Sequence, residues 1–387
     1  MKILIYSDGF APNIGGVETY TMILARGLVA EGIPVSVVTQ TARGAFDDAA
    51  LPFAVVRQPN LYQLFRRVAD ADVIHIAGPC IGPMVICAVL RKPAVIEHHG
   101  YQACCPNGLL LHELDSALCE GSFLQRKYRD CLRCQSPRVG VFASLRNIVL
   151  TAVRRKLCGM AAANLAVSHH VQTRLRLGNM PVVYHGIPDT RPELASRGPI
   201  CFGYIGRMVA EKGLPVLISA AKRLHDEARE FRVIMIGDGP QRLQLENMCD
   251  AAGLHARVTF TGWLTAERLD EAARDIGVAV IPSICEETAG LAAIEQMMRG
   301  RAVLASDIGG LREIVDDVGM RFAPGNAGQL ASCMRHLIRH PALARQLGQR
   351  ARLRAEARFH EGRMVSEHRA VYELARHARE RTCAPAF

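Results

Sequence analysis

"ICFGYIGRMVAEKGLPVLISAAKRL", residues 200–224, is a short apolar run, then a turn carrying two cations, then an apolar-periodic stretch of helical length. The same unit recurs along the chain. Short apolar runs bounded by glycine, proline or polar residues read as strands buried on both faces. Before residue 200 they are "KILIY" (2–6), "VSVVT" (35–39), "DVIHIAG" (72–78), "AVIEH" (94–98), "NLAVS" (164–168) and "VVYHG" (182–186). From 200 onward they are "ICFGYIG" (200–206), "FRVIMIG" (231–237), "RVTFTG" (257–262), "VAVIP" (278–282) and "AVLAS" (302–306). Helical patterns such as "ETYTMILARGLVAEG" (18–32) lie between most of them, and that alternation predicts parallel, doubly wound sheets.

The prolines and charges of "IPDTRPELASRGP" (187–199) break the rhythm and read as a linker. Two α/β domains in series follow: a Rossmann-like domain over 1–190 and a second over 197–350. A helical, Arg-rich segment over 355–387 ends the chain, and its long helix near 361–380 is expected to cross back onto the first domain. Sheets of this kind bind ligands outside the C-terminal ends of their strands, so two of them are expected to share a central cleft.

Composition agrees with two ordinary folded domains: 387 residues, 49% hydrophobic, 22% charged, 33 glycines. No apolar run reaches the roughly 18 residues of a membrane span, and the start has no leader-like pattern. A cytoplasmic location is therefore expected. The 13 cysteines, mostly single in apolar segments, fit a reducing compartment. The net charge of +10 is concentrated: from Arg126 to Arg176 there are eleven Lys or Arg against one acid, Asp130. Within it, "LRNIVLTAVRRKLCGM" (145–160) reads as a basic amphipathic helix. It could rest peripherally on the inner face of an anionic membrane, hold a phosphorylated substrate, or simply pack one side on the core. With 5% aromatic residues, stacking platforms are sparse and nucleic acid is disfavoured as a partner.

The chemistry-bearing residues fall at strand ends. In "PNIGGVETY" (12–20), Gly15 and Gly16 let backbone N–H groups approach a phosphate or sugar oxygen closely. The three-glycine dinucleotide spacing is missing. Arg207 and Lys212 straddle a strand-to-helix turn and can converge on one anion, the Arg as a planar fork and the Lys as a point charge. Either could equally be an ordinary surface cation. In "EETAGLAAIE" (286–295) amides near Gly290 and Leu291 begin a helix and can bind a phosphate. Acids near a helix start also complement its dipole, but the carboxylates of Glu287 and Glu295 only accept hydrogen bonds, so their natural ligands are hydroxyl groups. A diphosphate between cations with a hydroxylated ring on either side describes a sugar nucleotide.

With those residues in place, the chain resembles a family 4 retaining glycosyltransferase of the GT-B fold. "PNIGGVETYTMILARGLVAEGIPVSVVT" resembles that family's opening and "YIGRMVAEKGLPVLISAAKRL" its phosphate clamp. "IGDGP" and "VTFTGWL" resemble its middle strands, and "PSICEETAGLAAIEQMMRGRAVLASDIGGLREIV" its two-glutamate segment. The likeness covers most of residues 1–340. It implies that Arg207 and Lys212 bind the donor diphosphate, Glu295 the ribose, and Glu287 the donor-sugar hydroxyls. Gly290 and Leu291 would supply backbone donors, Gly16 would face the phosphates from the other domain, and "TGWL" would meet the base through its backbone. Members usually carry an aromatic after the first Glu, where this chain has Thr288 and Ala289. In "VIEHHGYQ" (95–102), His99 aligns with the family's strand-end histidine as the contact to the transferring sugar, leaving Glu97 and His98 structural.

The resemblance further implies retention by same-face attack, domain closure, and no metal or cofactor beyond the nucleotide-diphosphate sugar itself. The acceptor is a hydroxyl, by family habit on a cell-surface glycan or lipid-linked intermediate. Two other classes are a catalytically silent sugar-nucleotide-binding protein and an epimerase; the first needs neither His99 nor Glu287. One cluster stands apart: Cys104, Cys105, Cys119, Cys131 and Cys134 lie in a loop after the His99 strand. They could bind structural zinc or form a plain acceptor lid.

Overall fold

A computed structural model describes residues 1–190 and 199–383. The chain divides into two compact units, Met1–Pro188 with the C-terminal segment from Phe359, and Asp189–Arg358. Most of the expected linker, residues 191–198, lies outside the described residues.

The first unit is built on a six-stranded parallel sheet. Its strands are β1 (Ile3–Ser7), β2 (Val35–Thr39), β3 (Ala54–Arg57), β4 (Val73–Ala77), β5 (Ala94–His98) and β6 (Ala163–Ala166). The second sheet holds β7 (Cys201–Ile205), β8 (Arg232–Ile236), β9 (Val258–Gly262), β10 (Val278–Ile281), β11 (Ala302–Ser306) and β12 (Met320–Phe322). The first sheet runs β3-β2-β1-β4-β5-β6 and the second β12-β11-β10-β7-β8-β9, which is one doubly wound order used twice. In each, the winding reverses between the first and fourth strands, β1 and β4 or β7 and β10, and a crevice opens at that switch point. The central strands are wholly buried because both faces are covered: Ile3, Leu4, Ile5, Val73, Ile74, Val95 and Ile96 in one sheet, Phe202, Val233, Met235, Val278, Val280 and Leu304 in the other.

Three segments differ from the pattern. "VVYHG" (182–186) is not a strand: Val182 forms a single bridge to Ala166, and Ile187 another to His360. A Cβ on Gly186 would come within 2.8 Å of the Glu361 Cα and the His360 carbonyl, so this stretch is pressed onto the start of the last helix instead of extending the sheet. β3 and β12 are edge strands, and residues such as Ala54 and Arg321 in them are exposed.

The last helix, Glu361–Cys383, is part of the first unit and packs on the first helix, Gly16–Ala30. A Cβ on Gly27 would meet the Val365 Cγ2 at 2.4 Å, and Arg369 pairs with Glu31 at 2.8 Å. None of the described helices is long and apolar enough to cross a membrane.

Candidate active site

In the second unit the switch point gathers most of the residues named above. Arg207 and Lys212 follow β7, and Glu287 follows the adjacent β10. A 3-10 turn, Ala210–Lys212, is locked against the loop after β10. Ile284 donates its N–H to the Glu211 carbonyl at 3.0 Å. Gly213 sits at φ 63°, and a Cβ there would lie 2.2 Å from the Pro282 carbonyl oxygen. That close approach delivers Lys212, whose Nζ donates to Glu287 Oε1 at 2.6 Å, while the Ser283 hydroxyl donates to the same oxygen at 2.5 Å.

Burial opposes charge on both members of this pair, and each restores the other. Glu287, 15% exposed, is held below its ordinary value because Lys212, Ser283 and Arg207 outweigh desolvation. Lys212, 25% exposed, is raised by Glu287 against the same penalty. The Glu287 backbone is fixed too: its carbonyl accepts from the Gly310 N–H at 2.6 Å, and a Cβ on Gly309 would come 2.6 Å from the Glu287 N and O.

Gly290, at φ 56°, turns the chain into the helix Leu291–Met298, whose first amides have no acceptor within the helix. Glu295 lies one turn further, where burial raises its pKa to about 7 against the opposing charge of Arg299. "TGWL" starts on the last two residues of β9, Thr261 and Gly262, and the Gly262 carbonyl accepts from the Gly237 N–H at 3.0 Å.

In the first unit Gly16 opens the first helix after the extended Gly15. The Glu18 carboxylate already lies over this end: a Cβ on Gly9 or Gly15 would come within 2.5 Å of its oxygens. His98 and His99 diverge as neighbours at a strand end do. His98 is fully buried and bonded to Asn164 at 3.0 Å. His99 is half-buried, with Nδ1 3.1 Å from His185 Nε2 and its ring centroid 4.7 Å from that of Tyr20, the two rings tilted by 58°. Burial drives its pKa down to about 3 in spite of Glu97, so the imidazole is neutral.

Behind His99 is a wholly buried polar network. The Glu97 Oε2 accepts from the Tyr20 hydroxyl and faces His368 Nε2 at 3.0 Å and His75 Nε2 at 3.4 Å. Its Oε1 lies 3.8 Å from His185 Nε2, and the Tyr372 hydroxyl meets His75 Nδ1 at 3.0 Å.

Two family models match, one described as glycosyltransferase family 4 over residues 14–191 and one as glycosyl transferases group 1 over 187–354. The chain belongs to the family 4, group 1 type of glycosyltransferase. It is 35% identical over 147 residues to the 2-deoxystreptamine glucosyltransferase of Streptomyces kanamyceticus, covering 38% of each chain. Over 150 residues it is 32% identical to the alpha-D-kanosaminyltransferase of the same organism, covering 38% of this chain and 39% of that one. The matched segments thus span about two fifths of these curated relatives. HepE of Anabaena, solved with UDP and glucose, superimposes with a TM-score of 0.73 at 18% identity, covering 96% of this chain and 99% of that one. Sucrose-phosphate synthase from Thermosynechococcus elongatus gives 0.72 at 20% identity, covering 97% and 99%. These likenesses establish the GT-B fold.

In this family 4 chain several participants carry no local sequence signal. Ser283 sits in "PSICEE" as an ordinary loop serine. Tyr20, His75, His185 and His368 come from four separate segments. Of these only His185 follows a recognisable cue, a histidine before a glycine, and that stretch read as a strand.

Proposed function

We propose that this chain transfers a glycosyl group, a hexosyl by type, from a nucleotide-diphosphate sugar to a hydroxyl acceptor with retention of configuration. The observation that carries the proposal is the Lys212–Glu287–Ser283 cluster with Arg207 at the β7/β10 switch point. Lys212, Arg207 and the amides at Gly290 and Leu291 bind the diphosphate and stabilise it as it leaves, supplying the charge that a metal ion supplies in other transferases. Glu287 accepts from donor-sugar hydroxyls and Glu295 from the ribose. The glycosyl–phosphate bond breaks while the acceptor oxygen attacks from the same face, and the acceptor's proton passes to the departing phosphate oxygen. Neutral His99 donates to a sugar hydroxyl and positions it; it is not a nucleophile.

Binding of UDP-, GDP- and ADP-sugars to metal-stripped protein tests the donor half. One of them is expected to bind saturably, and Arg207→Ala to weaken it roughly 10- to 100-fold, the cost of losing a charged hydrogen bond. No binding of any donor to folded protein would refute the proposal.

For the acceptor we propose a cell-surface glycan or lipid-linked intermediate reached from a membrane surface. The support is the helix Val141–Cys158, which buries Ser144, Thr151 and Cys158. It leaves Phe142 at 89%, Leu145 at 47% and Val149 at 60% exposure on one stripe. Arg146, Arg154 and Lys156 share the helix, a composition suited to anionic lipid. Wild-type protein should co-sediment with phosphatidylglycerol vesicles but not with phosphatidylcholine ones, and Phe142→Asp with Val149→Asp should weaken that about tenfold or more. Equal binding by the double variant would remove this helix from the proposal.

A further inference from the structure

The loop between β5 and the helix Tyr128–Val139 runs for residues 99–127 with no regular element beyond a bridge between Leu111 and Leu118. Loops longer than about 15 residues inside a compact domain call for a device that orders them. This one is ordered, since Tyr101, Ala103, Cys104, Cys105, Leu110, Leu111 and Phe123 are all buried. At its centre is a small cavity of about 10 Å³ lined by Cys105, Cys119, Cys131 and Cys134. All four are free thiols.

We propose that these four cysteines form a structural zinc site that fastens the loop to the helix Tyr128–Val139. Two ligands come from the loop and two from the first turns of the helix, where Cys131 and Cys134 are three apart and share a face. The loop side is shaped for a metal-bound sulfur. Gly108, at φ 77°, closes a tight turn by donating its N–H to the Cys105 carbonyl at 3.1 Å. The Cys105 thiol donates to Asn107 Oδ1 at 2.9 Å, and the side-chain amide of the same Asn107 donates to Cys134 Sγ at 3.7 Å, so one residue ties a loop sulfur to a helix sulfur. Amides aimed at sulfur are the outer-shell contacts that orient a thiolate ligand. Cys104, buried in the same loop, does not line the cavity and is left out of the ligand set.

A coordinating cation removes the protons outright: four thiols release four protons and leave a complex of net charge −2. Arg174, whose guanidinium donates to the Cys119 carbonyl, is placed to offset that charge. Among the described residues, the side chains whose ligand atoms already converge within 4.8 Å are His75, Glu97 and His368, and Glu97, His99 and His185. The four sulfurs do not meet that spacing and must draw together on binding. Soft thiolates select zinc over magnesium or calcium, and a four-sulfur set is the closed, structural kind.

The inference is independent of the transfer proposal, and its readout is metal content. Full-length protein, purified without added metal and dialysed, should retain about one zinc per chain, released when a mercurial blocks the thiols. Cys131→Ala and Cys105→Ala should lose it, and Cys104→Ala should keep it. Should those variants fail to fold, replacing zinc by cobalt in the wild-type chain should give the intense visible bands of a tetrahedral thiolate complex. Substoichiometric zinc with freely titrating thiols, a Cys131–Cys134 disulfide, zinc retained in Cys131→Ala, or a cobalt spectrum without thiolate bands would each overturn the site.

Discussion

Glu287→Gln is expected to lower turnover by roughly 10²- to 10³-fold while weakening donor binding by less than about tenfold, the pattern of an interaction made mainly in the transition state. Glu287 accepts from Lys212 and Ser283 through Oε1, so Oε2 can face the sugar. As the diphosphate departs, positive charge grows on the anomeric carbon and the ring oxygen, and a carboxylate nearby stabilises that charge where a carboxamide does not. The diphosphate contacts are spared, because the substitution leaves Arg207 and the helix amides in place and frees Lys212 from its pair. The fold should survive. Losing one partner of a pair that is 15% and 25% exposed costs about 1–3 kcal/mol, and the backbone at 287 is still gripped by Gly309 and Gly310. Steady-state kinetics with a donor-binding titration and a thermal melt separate these effects. Turnover within threefold of wild type would remove Glu287 from the sugar site, and a parallel loss of donor affinity and turnover would make it a binding residue alone.

The fold was legible because its strands are buried on both faces. Unbroken runs such as "VSVVT" and "AVLAS" coincide with β2 and β11 to the residue, and alternation with helices leaves few topologies. β12 is less legible for the converse reason, since a half-solvated edge strand needs no such run; β3 does carry a short one, Ala54–Val56. The second unit's site was readable because its residues lie within a few positions of two strand ends, Arg207 and Lys212 after β7 and Glu287 after β10. The network behind His99 was not, since it is assembled from residues up to 348 positions apart, as in the contact between Tyr20 and His368. Glu97 reads as one of two polar residues, with His98, closing an apolar strand; its partners Tyr20, His75, His185 and His368 come from four separate segments.

Those partners dictate the response to acid. The first unit is expected to lose stability as the pH falls below about 6.5, with its network open well before pH 3, while the second unit stays folded. Burial depresses His75, His98 and His185 from 6.5 to about 4, and His99 to about 3. Below 6.5 the unfolded chain therefore binds protons that the folded unit refuses, and each such proton favours unfolding. The penalty grows until the pH passes the folded values. Glu97 acts in the same direction at lower pH. Although burial raises its pKa, His368, His99 and His75 outweigh that and hold it below the ordinary carboxylate value. Its contribution is complete above about 4.5 and is lost as the pH falls through the folded value. In the second unit no histidine is buried among the described residues, so hydrogen exchange followed by peptide should show β4, β5 and the last helix opening first. Glu97→Ala makes the same point at neutral pH: it leaves Tyr20 and the buried imidazoles without their common acceptor and should cost about 3–5 kcal/mol, as breaking a buried charged network does. A denaturation free energy within 1 kcal/mol of wild type, or exchange that begins in the second sheet, would show that the Glu97 network does not hold the first unit together.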